Sequence, residues 1–218
     1  MKKILHFILT FVFIVLSISA VIELVKTFRD FSVTSRDELS FMIGFVAYLL
    51  VHFLLYKPVF AHVMAHEITH MLWASIFGGK TKKFEVSAEG GRVLISKSNF
   101  MISLAPYFFP LYALAATLIY YIAQDRFRLY IAFIVGAALS FHIALTLFSL
   151  MTKQSDLHED SNIVFSLAFI IFMNVLVITF ILSVVSQKID YLQFLKGIFV
   201  GCYDIARWTI AWFSSMGK

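Results

Sequence analysis

His66, Glu67 and His70 are the residues whose types and spacing are best suited to chemistry. They stand in the order His-Glu-Ile-Thr-His inside the apolar run Val59–Phe77. On a helix, residues four apart lie one turn apart on one face, so both imidazoles can reach a single metal ion. Glu67, beside the first ligand, is placed to take a proton from a metal-bound water. This is the H-E-x-x-H spacing of hydrolytic zinc sites. The plainer alternative, two helix histidines and a surface glutamate, suits a polar helix face better than this one. Ionisable groups in such apolar surroundings are costly and mark function by default. A hydrolytic site in a helix of membrane length points to cleavage of peptide bonds within or beside a bilayer.

A catalytic zinc usually has three protein ligands and one open position. Beyond His66 and His70, the candidates are His62, His142, Asp156, His158, Glu159 and Asp160. His62 continues the stripe, but His62 and His70 are two turns, on the order of 12 Å, apart along a helix. His62 therefore reads as a histidine that supports the ligands or packs beside them. His142 lies in mid-span, where it is a ligand, a partner of the ligands, or a buried histidine bonded to a carbonyl. Among the acids Asp156 is preferred. It is nearest the end of the preceding helix, and Leu157 beside it can pack inward. Asp160-Ser161-Asn162 has the composition of a cap for the next helix.

The elements that must position these groups read as membrane helices. The chain of 218 residues is 61% hydrophobic and 14% charged, with 25 phenylalanines. Its mean hydropathy is +0.88. A soluble domain carries about 25% charged residues. Apolar segments lie at about Ile4–Val25, Leu39–Tyr56, Val59–Phe77, Phe100–Ala123, Leu129–Met151 and Ile163–Val185. Each is close to the roughly 20 residues that a span needs, which predicts an all-α integral membrane protein of about six transmembrane helices. Lys2-Lys3 before the first run resembles the start of a signal peptide, but the run is long for one and reads as an uncleaved span. Pro58 separates the second and third segments. The net charge of +5 fits loop cations facing lipid headgroups, not a nucleic-acid surface. Lysines and arginines are similar in number on the two faces that these spans define. Cys202 is the one cysteine, which excludes an intrachain disulfide and a cysteine-based metal site.

One segment reads as β structure. Lys82–Ser87 and Arg92–Ser96 flank Ala88-Glu89-Gly90-Gly91, a hairpin directly after the metal-binding helix. Phe84, Val86, Val93 and Ile95 are its candidate substrate-binding residues, because an exposed strand edge can hold an extended peptide by strand addition. Pro106 and Pro110 interrupt the next helix, giving local space, a gate or a packing kink. The tail Tyr191–Phe213 mixes Lys196, Asp204 and Arg207 with Trp208 and Trp212, and reads as an amphipathic helix on the membrane surface or as a weak seventh span. The length suits a single membrane-embedded domain over 1–218, with its core at about 59–186 and the tail helix at about 190–213.

From Val59 to Val175 the sequence resembles the site-2 protease family of intramembrane zinc metalloproteases, in the manner of its small bacterial members. The resemblance rests on His66-Glu67-Ile68-Thr69-His70, on Phe77-Gly78-Gly79 and the hairpin, and on Ala105-Pro106, where relatives often have Gly-Pro. It also rests on Gln154-Ser155-Asp156-Leu157 with Phe165-Ser166 beyond. The better-known members carry the third ligand in Leu-Asp-Gly, which this chain lacks, and no PDZ-like insertion is visible. The resemblance implies a zinc ion held by His66, His70 and Asp156, with Glu67 as the base. It also implies a transmembrane protein as substrate, a bacterial inner membrane as location, and gating by the bundle or by a regulatory membrane partner. The rival expectations are a metal transporter or sensor using His62, His66, His70 and His142, and a non-catalytic scaffold of the same fold. The transporter would need further intramembrane acids, and the scaffold would have no use for Glu67.

Overall fold

The computed structural model describes residues 2–31, 33–55, 57–87, 90–151 and 163–216. Among these it contains eight helices and one hairpin. The chain divides into two compact units, Val33–Asn162 and Met1–Ser32 with Ile163–Lys218.

The first unit begins with α2 (Arg36–Leu54) and α3 (Val59–Ile76). Ser35 and Glu38 close a capping box at the start of α2, which satisfies amides the first helical turn leaves open. Strands β1 (Thr81–Val86) and β2 (Gly91–Ile95) follow, then α4 (Phe100–Phe108), α5 (Leu111–Ile122) and α6 (Asp125–Met151). Helices α2 and α6 meet through glycine. A Cβ on Gly44 would collide with the Phe133 carbonyl, and one on Gly136 with the Phe41 carbonyl. Two backbones this close need small residues at the seam. Ser40 adds a hydrogen bond to the Leu129 carbonyl at 2.6 Å, and Tyr120 donates to Asp37 at 2.6 Å.

Phe77-Gly78-Gly79 ends α3 in a Schellman turn. Gly78 has φ +71°, its amide bonds to Ser75 at 2.9 Å, and the Gly79 amide bonds to Ala74 at 2.7 Å. The left-handed backbone at Gly78 is why glycine stands there. The chain then turns straight into β1. The hairpin is antiparallel and pairs Phe84 with Val93 and Glu85 with Arg92. It is closed at its base by the Ser96 amide, which donates to the Lys80 carbonyl at 2.9 Å. Each strand lies one residue earlier than the sequence predicts.

The second unit packs α1 (Lys2–Asp30) against α7 (Ile163–Val185) and α8 (Tyr191–Met216). Ser17 donates to the Ala168 carbonyl at 2.6 Å, and Ser19 to the Ile198 carbonyl at 2.7 Å. The tail helix is not only a surface element. Phe194 and Ile198 are buried with Ala20 and Val175, and Gly197 and Gly201 lie directly on Glu23 and Ser19 of α1.

Among the described residues, α1, α2, α6 and α7 are long and apolar enough to cross a membrane. The pair α4 and α5, bent by 66°, makes a fifth if counted as one span. This is fewer than the about six expected from apolar runs of spanning length. The difference is α3, which is not among the candidates. Its three histidines and Glu67 interrupt the run. The bend between α4 and α5 falls where Pro106 and Pro110 predict an interruption.

Candidate metal centre

Helix α3 brings the three motif side chains together. His66 and His70 project from successive turns, with ring centroids 4.8 Å apart. Their Nε2 atoms lie 3.2 Å from each other. Two imidazole nitrogens bound tetrahedrally to zinc at about 2.0–2.1 Å stand about 3.3 Å apart. The separation of the pair matches that of two nitrogens sharing one ion. His70 is buried, and its Nδ1 lies 2.9 Å from the Ile102 carbonyl. A carbonyl only accepts, so Nδ1 carries the proton and the Nε2 lone pair of a neutral ring faces His66. Metal-bound histidines are commonly oriented by this kind of partner. The Tyr107 ring meets His66 edge-on at 5.6 Å.

Glu67, on α3, is buried beside Gly91 at the start of β2. A Cβ placed on Gly91 would lie 2.6 Å from Glu67 Cγ and 3.1 Å from its Oε1. The glycine lets the strand backbone approach the carboxylate closely. His66, Glu67 and His70 line one cavity of about 770 Å³ together with β2 and with Phe148 and Ser149 near the end of α6. The register puts Phe84, Val86, Val93 and Ile95 on one face of the hairpin, because Phe84 pairs with Val93 and Val86 with Gly91. Of these four, Val93 and Ile95 line the cavity; Phe84 and Val86, on β1, do not.

His62 lies one turn before His66, with ring centroids 6.1 Å apart, and is bonded to the Ser149 hydroxyl at 2.9 Å. It thereby ties α3 to α6. His142 does not line that cavity. It borders a separate void of about 20 Å³ with His62, His66, Thr69 and Pro106. That volume holds about one water molecule. Asp156, His158, Glu159 and Asp160 lie outside the described residues. Among the described residues, no group of three or more histidine, cysteine, aspartate or glutamate side chains is arranged to hold a metal. Among the described residues, no third such group joins the His66–His70 pair.

Three contributors were not evident as site residues in the sequence. Ile102 acts through its carbonyl, which no side-chain pattern reveals. Ser149 is one of many span serines. Gly91 lies in a turn whose Gly-Gly pair suggests only a bend. Set against protein-family models, curated proteins and solved structures, the chain matches none.

Proposed function

We propose that this chain is a zinc-dependent intramembrane endopeptidase of the site-2 protease kind, acting on transmembrane or membrane-proximal segments of other proteins. The observation that carries the reading is a single cavity holding the His66–His70 nitrogen pair, the buried Glu67 carboxylate and the strand β2. A zinc ion held there would supply Lewis acidity, making water more acidic and a carbonyl more electrophilic. His66 and His70 hold the ion, and Asp156 completes the set. The chain leaves α6 at Met151, two residues after Ser149 on the cavity wall, and Asp156 follows five residues later. Glu67 takes the proton of the attacking water and passes it to the leaving amine.

The hairpin supplies the means of holding a substrate. A transmembrane helix hides its peptide groups in internal hydrogen bonds and must unwind before attack. Among the described residues, β2 has one edge paired to β1 and no strand on the other. An unwound peptide along that edge gains backbone hydrogen bonds without a demand on its sequence, with Val93 and Ile95 offering apolar contact on one face. The long apolar helices fit a multi-pass protein, and a bacterial inner membrane is the proposed location. The transporter reading is weaker, because Glu67 is the sole acid lining either cavity among the described residues.

Metal content tests the ligand assignment. Purified Glu67→Gln retains zinc at the wild-type ratio, whereas His66→Ala and Asp156→Ala lose most of it. Unchanged zinc in Asp156→Ala, with loss in His142→Ala or Glu159→Ala, would place the third ligand elsewhere.

A further inference from the structure

Pro106 lies in the last turn of α4, where a proline interrupts the hydrogen-bond ladder. In an α-helix the carbonyl of residue 102 accepts from the amide of residue 106. Pro106 has no amide hydrogen, so the ladder leaves the Ile102 carbonyl open. Ile102 is fully buried, and a buried carbonyl needs a donor. The donor is His70, whose Nδ1 stands 2.9 Å away. The Ile102 amide is also used outside the ladder, bonding to the Asn99 cap at 2.9 Å. Both polar groups of Ile102 are thus held by partners that fix its place against α3.

We propose that Pro106 is a positioning residue for the metal centre: by withholding an amide it frees the Ile102 carbonyl to orient His70 and to fix its proton on Nδ1. The Nε2 lone pair is then directed at the position shared with His66. The proposal rests on the metal-binding part of the functional reading and is independent of proteolysis.

Pro106→Ala supplies the missing amide, which competes with His70 for the Ile102 carbonyl. In the full-length protein in detergent, zinc affinity measured against a competing chelator is expected to fall about 10–100-fold, the usual cost of removing a ligand's hydrogen-bonding partner. Pro110→Ala, at the cap of α5, removes a neighbouring proline without adding an amide to Ile102, and keeps wild-type affinity. Nitrogen NMR of labelled histidines in the metal-free protein reads the tautomer directly. Wild-type His70 carries its proton on Nδ1, and Pro106→Ala shifts it toward a mixture. An Nε2-protonated His70 in the wild type overturns the proposal even if the variant does not fold. Wild-type affinity together with an unchanged tautomer in Pro106→Ala overturns it as well. A wild-type chain that binds no zinc, yet shows the tautomer and loses it in Pro106→Ala, supports the positioning contact and removes the metal reading instead.

Discussion

Gly91 shapes the site by what it lacks. Its missing Cβ would lie 2.6 Å from both Glu67 Cγ and Val63 Cγ1, well inside contact distance. Gly91→Ala must push the strand away from α3 or turn the Glu67 carboxylate out of place. Overpacking of this kind costs about 1–3 kcal/mol. The expected outcome is cleavage lowered at least about tenfold with zinc content unchanged, because the atoms nearest position 91 belong to Glu67 and Val63; each 1.4 kcal/mol is a factor of ten. Wild-type cleavage by Gly91→Ala would show that the close approach has no role in placing the base. The motif residues themselves were legible, since a period of four on a helix needs no tertiary information. The groups that orient them were not. The Ile102 carbonyl is 32 residues from His70, and Ser149 is 87 from His62. No local pattern encodes a partner at such a distance.

At the scale of elements, the seam of α2 and α6 holds the unit that carries α3. Gly44 and Gly136 each face a backbone carbonyl of the other helix, so neither position has room for a side chain. In a bilayer there is no hydrophobic force between helices, and close backbone packing takes its place. Gly136→Leu is expected to lower unfolding stability in detergent by about 1–3 kcal/mol or more, read as a lower midpoint of thermal unfolding. An unchanged midpoint would mean that the seam is not closed as described. Most elements could be located from apolar runs bounded by glycine, proline and charge, and the hairpin from its Gly-rich turn. Two points were not accessible that way. Length and general apolarity make α3 read as a span, while His62, His66, Glu67 and His70 lower its hydropathy below that of the four long apolar helices. The tail helix looked like a surface helix because its polar residues stand out, while Gly197 and Gly201, which seat it on α1, are silent in a hydrophobic pattern.

For the whole molecule, the surface and the site make a consistent pair. Phe7, Phe53, Tyr121 and Ile122 are 72–76% exposed, which suits lipid as the surrounding solvent. On the proposed function, a substrate arriving through lipid would be helical and could be cut only where it unwinds, beside the cavity that Glu67 and β2 line. Comparison of membrane proteomes from cells carrying the wild-type chain or Glu67→Gln tests this most directly. The expected result is at least one membrane protein that is shortened in or near its span with the wild type, and that accumulates uncut with Glu67→Gln while the variant still holds zinc. Identical fragments at identical abundance in both cells, with the variant folded and zinc-loaded, would contradict the assignment of this chain as an intramembrane peptidase that uses Glu67 as its base.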